Sequence, residues 1–166
     1  MLFTTYHLKN VLSQAIVGDK MMEFYKYQGA GNDFVMVDNR NGELELGKNI
    51  DTAAINRICN RNFGVGADGL ILLENDTESD FKMVYFNSDG NESTMCGNGG
   101  RCIVAFAKFL TVFEGEACVF RAIDGIHHAK LNGDWVELQM IDVTEIEQIG
   151  NDYFLDTGSP HYVSFR

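Results

Sequence analysis

The stretch NSDGNESTMCGNGGRCIVAFAKFL sets one thiol, Cys96, between a turn-rich loop and an apolar run, with Gly97, Gly99 and Gly100 close behind it. If the apolar run is a helix, Cys96 stands at its entrance. The first N–H groups of a helix lack intrahelical partners and carry partial positive charge. Glycine lets a ligand approach such backbone without a side chain in the way. A carboxylate would settle against the amides around Gly97, Asn98 and Gly99. The same field favours a thiolate over a thiol, so one loop could hold a carboxylate and place a base beside it. Asn98, with a donor and an acceptor, suits the rim of such a pocket. The competing reading is that an isolated Cys is a small core residue. That reading is favoured for Cys59, Cys102 and Cys118, which lie within apolar surroundings. For Cys96 the residues alone leave both readings open.

Other patterns carry less. GVGADG, residues 64–69, matches the letters of the dinucleotide fingerprint, but a helix precedes it and a strand follows, the reverse of what that site requires. Cys96 and His161 could form a thiol hydrolase pair, without a local signature to support it. The four cysteines include no C-x-x-C pair and are too scattered for a zinc site. His127 and His128 are adjacent in a strand pattern, so they face opposite ways and at least one is solvated.

The elements that must position Cys96 follow from pattern. With 45% apolar residues the 166-residue chain can build a sizeable core. Its net charge of −11 and lack of a basic run argue against nucleic acid or an anionic membrane as partner. No apolar stretch is long enough to span a bilayer. The first twenty residues do not read as a secretory signal, which places the chain in the cytoplasm with reduced thiols. Residues 1–21 read as an N-terminal extension, and strand-like sequence starts at Met22. EFYKYQ and FVMVDN, broken by GAGND, predict a β-hairpin. NIDTAAINRIC predicts a helix capped by Asp51 or Thr52, with Gly64 as a stop. GLILLEN, DFKMVYF, ACVFRAI, IHHAKL and DWVELQM predict strands, the last two joined by a turn at Asn132-Gly133. IVAFAKFL is apolar on nearly every face, the mark of an enclosed helix. The expected fold is α+β: a mixed, largely antiparallel sheet wrapped around one central buried helix. LDTGSPHYVSFR reads as a new strand, YVSF, opening a second unit.

These motifs resemble the N-terminal half of the diaminopimelate epimerase family. The likeness rests on KYQGAGNDFVMVDNR, ICNRNFGVGADGLILLE, MVYFNSDGNESTMCGNGGRC and, more weakly, DTGSPHYV. Proline-specific racemases carry a similar cysteine motif with another residue where Asn98 stands. The resemblance implies interconversion of LL- and meso-diaminopimelate without pyridoxal phosphate or metal, in lysine and cell-wall precursor synthesis. It implies two cysteines on opposite faces of the α-carbon, one taking the proton and one returning it, which is general acid–base chemistry. Cys96 stands at the position of the first. Gly97 and Asn98 match the backbone that receives the α-carboxylate, and Asn32 and Asn87 match substrate-binding asparagines. On residue type alone both asparagines would be turn formers. His161 matches a histidine that adjusts the cysteines. Ser159 stands where many members have a binding Asn, and Gly69 where some have Gln.

The family fold is two similar halves, each a strand layer around a helix, with the site in the cleft between. The resemblance then divides this chain into an extension at 1–21, an N-terminal epimerase-like domain at 22–143, and a hinge with the beginning of a truncated second domain at 144–166. The second cysteine and a Glu-Arg substrate pair belong to the other half, so the 166 residues alone are expected to be inactive. A homodimer is a further partner the family suggests. The alternative from another class is a non-catalytic domain that binds carboxylates or docks a partner half.

Overall fold

A computed structural model describes residues 13–17, 20–45, 48 and 50–165. Most of the expected extension lies outside them. Its described part, β1 (Ser13–Val17), pairs with β2 (Lys20–Gly29), which starts two residues before Met22. β2 turns through Ala30 and Gly31, at φ 54° and 84°, into β3 (Asn32–Asp38). Two positive φ values make the tight hairpin that the GAGND break predicts.

Helix α1 (Thr52–Cys59) follows, and Asp51 caps it by accepting the Ala54 N–H at 2.7 Å. The helix stops at Asn60 rather than running to Gly64, because the chain turns back on itself there. Val65 and Gly66 both donate to the Ile58 carbonyl, at 2.8 and 3.1 Å. β4 (Gly69–Glu74) and β5 (Phe81–Asn87) lead to α2 (Gly97–Phe109), then β6 (Ala117–Ala122), β7 (Gly125–Asn132) and β8 (Trp135–Leu138). The two loop residues between β7 and β8 are Gly133 and Asp134, one position later than expected, with Gly133 at φ 60°.

Strands β1 to β8 form one sheet in sequence order. Pairing is antiparallel except β3–β4 and β5–β6, where a helix makes the crossover. Alternation along β3 and β4 sends Phe34, Met36, Ile71 and Leu73 to the α2 side and Val35, Val37, Leu70 and Leu72 to the α1 side. Burial on both faces explains why these strands read as continuous apolar runs. Helix α2 touches both β2 and β8. In a flat sheet those strands would lie about 29 Å apart at the usual spacing, far more than the ~10 Å width of a helix. The sheet therefore curls around α2, whose Cys102, Ile103, Val104, Phe106 and Ala107 are buried. His127 is buried and stacked on Phe120 at 5.4 Å, while His128 is exposed.

A second sheet holds β9 (Ile146–Ile149), β10 (Asp152–Asp156) and β11 (Pro160–Val163) in antiparallel order. The expected final strand is thus the second arm of a hairpin, paired with the chain before it. No described helix is long and apolar enough to cross a membrane.

Candidate active site

Cys96 is the N-cap of α2, in extended backbone and half-buried. Its side chain makes no cap bond, and the first turn carries no acidic residue. The first amide that bonds back is Gly100, to the Cys96 carbonyl at 2.7 Å. The N–H groups of Gly97, Asn98 and Gly99 precede it and keep the positive end of the helix unneutralised.

The glycines differ in what surrounds them. A Cβ at Gly99 would lie 3.0 Å from Ile71 Cδ1, and one at Gly100 would lie 2.5 Å from Met95 Cε and 2.8 Å from Leu138 Cδ2. Both let α2 sit close against the sheet and its own approach loop. Only Gly97 has room, with Met140 Sδ and Arg101 Nη1 no nearer than 3.6 Å. Gly29 matters from the other side. A Cβ there would lie 3.2 Å from the Asn98 carbonyl oxygen and 3.4 Å from Cys102 Sγ. Its bareness lets the β2–β3 hairpin abut the helix entrance and brings in Asn32.

Asn32 Oδ1 faces two donors, the Cys96 thiol at 3.6 Å and Asn98 Nδ2 at 3.4 Å. Its Nδ2 donates to Asp68 Oδ2 at 2.6 Å. A carboxylate only accepts, so Asp68 decides which way the Asn32 amide points and turns its oxygen to the thiol. Asp68 also accepts the Asp33 N–H at 3.1 Å and Arg61 at 2.7 Å. Arg101 donates to Asn98 Oδ1, so both ends of that amide are engaged. Asn32 opens β3, Asp68 precedes β4, and Asn87 closes β5. The register Phe34–Gly69–Asn87 sets these three ends side by side next to α2. Asn87 Oδ1 accepts from the Tyr85 hydroxyl at 2.7 Å.

Ser159, in the turn between β10 and β11, donates to the Met95 carbonyl at 2.8 Å and bonds Thr94 at 2.8 Å. It ties the second sheet to the loop that ends in Cys96. His161 is exposed and holds its Nδ1 against the Ser159 carbonyl at 2.6 Å. Among the described residues it makes no hydrogen bond to Cys96.

Burial pushes the Cys59 thiol up to about 11 and those of Cys102 and Cys118 up to about 12. Such shifts lower the thiolate fraction about 100-fold or more at pH 8. Iodoacetamide is therefore expected to label Cys96 alone in the native chain and all four cysteines in denaturant, as read by peptide mass spectrometry. Labelling of Cys102 ahead of Cys96 would contradict this placement.

Beside the site, Asp33 is pulled two ways. Burial raises its carboxyl, but hydrogen bonds and charge from Arg61 and Lys26 outweigh burial and hold it at about 2. A depressed folded value means the contribution is complete above the ordinary carboxylate value, 3.8, and fades as pH falls toward 2. Urea midpoints of the wild type are expected to drop across that window, and Asp33→Asn to flatten the drop. An unchanged slope in the variant would assign the acid sensitivity elsewhere.

The sequence reading missed Asp68 and Tyr85. Asp68 lay inside GVGADG, set aside once the dinucleotide reading failed, and Tyr85 looked like an ordinary strand aromatic.

Residues 24–145 match the family model described as diaminopimelate epimerase. A curated diaminopimelate epimerase of Flavobacterium psychrophilum is 59% identical over 145 residues, which cover 87% of this chain and 55% of that protein. One from Chlorobaculum tepidum is 42% identical over 144 residues, covering 82% and 54%. The chain spans about half the length of the curated relatives it matches. Among solved structures, a Bacillus anthracis phenazine biosynthesis protein of the PhzF family superposes with TM-score 0.59 at 14% identity, over 97% of this chain and 53% of that one. A hydroxyproline epimerase from Agrobacterium vitis does so with TM-score 0.52 at 13% identity, over 98% and 51%. At such identities these structures speak to the fold, and they agree on it. With a family model matched over most of its length and relatives this similar, the chain belongs to the diaminopimelate epimerase family.

Proposed function

We propose that this chain supplies the Cys96 side of an enzyme that interconverts LL- and meso-diaminopimelate, in lysine and peptidoglycan precursor synthesis. The observation that carries the reading is the half-buried Cys96 at the unneutralised N-terminus of α2, beside the Gly97, Asn98 and Gly99 amides that precede the first helical bond. The substrate α-carboxylate binds the amides of Gly97 and Asn98. Cys96, as thiolate, takes the proton from the α-carbon, and the electron pair left behind is delocalised into the carboxylate held by those amides. A second thiol on the opposite face returns a proton. Cys96 ends as thiol and the second cysteine as thiolate, so the two forms of the enzyme alternate. Asn32 and Asn87 bind polar groups of the substrate, and Ser159 holds the Met95 carbonyl beside the cysteine. His161 adjusts the cysteines. Division at residues 143 and 144 follows this reading, since the second sheet starts at Ile146.

The other three cysteines here are buried with raised pKa values, so this chain offers no second thiol for the far face. The 166 residues alone are expected to give negligible inversion of diaminopimelate. Fusion of this chain to the C-terminal part of the Flavobacterium psychrophilum relative is expected to restore it. The assay is deuterium incorporation at the α-carbon in heavy water together with the LL to meso ratio. A folded fusion without exchange would remove the epimerase reading and leave a carboxylate-binding domain. Rapid inversion by the 166-residue chain alone would remove the two-cysteine account.

A further inference from the structure

Tyr85 and Asn87 lie two residues apart on β5 and project from the same face. The Tyr85 hydroxyl donates to Asn87 Oδ1 at 2.7 Å. Once that oxygen is held, the amide has one orientation. Its Nδ2 points away from the phenol, and among the described residues no protein group accepts from it. Asn87 thus offers donors, not an acceptor, to whatever enters.

What holds Tyr85 there is a missing side chain on the neighbouring strand. Gly69 pairs with Asn87, and Ile71 with Tyr85, so the Tyr85 ring leans diagonally over position 69. A Cβ at Gly69 would lie 2.6 Å from Tyr85 Cε2, 3.3 Å from its hydroxyl and 2.4 Å from the Phe86 carbonyl oxygen. The ring fills the volume a side chain at 69 would claim. Phe34 closes on it from β3, edge to face, with centroids 5.8 Å apart at 81°. Between Gly69 and Phe34 the hydroxyl has one place to go. Burial, with the charges of Cys96 and Asp68 nearby, pushes the phenol up to about 12, so it remains a protonated donor throughout the working range of pH.

We infer that Tyr85, seated over Gly69, is a positioning residue that fixes the Asn87 amide with its N–H groups outward and commits that end of the site to a ligand carboxylate rather than an ammonium. The inference rests on the reading of the site as one for diaminopimelate. It adds to that reading the device that orients the asparagine.

The test uses the fusion to the C-terminal part of the Flavobacterium psychrophilum relative, its Tyr85→Phe and Asn87→Asp variants, and calorimetric titration with two ligands. One is meso-diaminopimelate. The other is lysine, the same carbon skeleton without one carboxylate. Tyr85→Phe keeps the ring over Gly69 and releases the amide. It is expected to weaken diaminopimelate about tenfold, the scale of one hydrogen bond. Lysine binding should change less than about twofold on the same scale. In Asn87→Asp the phenol still finds an oxygen, but the outward atom becomes an acceptor, and diaminopimelate binding should be lost. The side-chain amide pair of Asn87, identified by its disappearance in Asn87→Asp, should shift in the NMR spectrum of Tyr85→Phe. Equal weakening of both ligands would make Tyr85 merely structural and overturn the inference, as would unchanged diaminopimelate affinity. A wild-type fusion that binds lysine but not diaminopimelate would overturn the site reading as well, and no binding of either would do the same.

Discussion

Cys96→Ala in the fused enzyme is expected to lower α-deuterium exchange of diaminopimelate by about 1,000-fold, within the range set by loss of a general base. The fold should hardly notice. Cys96 is half-buried, its sulfur makes one weak contact with Asn32, and its side chain caps nothing. Thermal unfolding should therefore move little while exchange collapses. Cys96→Ser should behave like the alanine variant, because a hydroxyl ionises far less readily than a thiol and supplies no anionic base near neutral pH. Measured kcat and KM sharpen the point. The loss should fall on kcat, since the carboxylate cradle is backbone and survives the substitution. A variant that kept a tenth of the exchange rate would mean that another group takes the proton.

The second large effect is structural and acts at a distance from the sulfur. Gly90 sits in the NSDG turn at φ 92°, donating to the Asn87 carbonyl at 2.9 Å. A Cβ there would lie 2.1 Å from the Thr52 carbonyl oxygen and 2.7 Å from its carbonyl carbon and Cα, the backbone that begins α1. Neither partner is a flexible side chain that can swing aside. Gly90→Ala is expected to cost about 3 kcal/mol, combining left-handed backbone strain with the overlap. That corresponds to roughly 6–12 °C in Tm for a chain of this size. The turn must also move off α1 and carry Asn87 with it, so diaminopimelate affinity should fall alongside stability. Calorimetry of unfolding and of binding on one preparation tests both. A Tm within about 2 °C of wild type, where the same scaling puts less than 1 kcal/mol, would show that the turn adapts freely.

Much of the architecture was legible because its causes are local or periodic. IVAFAKFL had to be enclosed, since a helix apolar on nearly every face cannot border water. The GAGND hairpin followed from turn residues between two strand-like runs, and Asp51 capped α1 as its residue type suggested. The misreadings have a common origin. Gly64 looked like a helix stop because glycine often follows one, but α1 ended at Asn60, where the chain turned back onto the Ile58 carbonyl. Gly99 and Gly100 also have a reason that lies outside the local sequence. They are bare because Ile71, Met83, Met95 and Leu138 press on them, which depends on how α2 lies against the sheet.

The sequence by itself determined that a thiol stands before a buried helix, behind glycines, in a chain whose motifs mark the diaminopimelate epimerase family. Only the tertiary structure decided how that thiol is furnished. Asp68 orients Asn32 across 36 positions of chain, and Ser159 reaches the Met95 carbonyl across 64. Tyr85 reaches Asn87 because Gly69, on the next strand, leaves it room. Periodicity and turn propensity act between near neighbours in the chain. Which end of an amide faces a sulfur depends on strand register and on the partner that register delivers, and only the folded sheet supplies that.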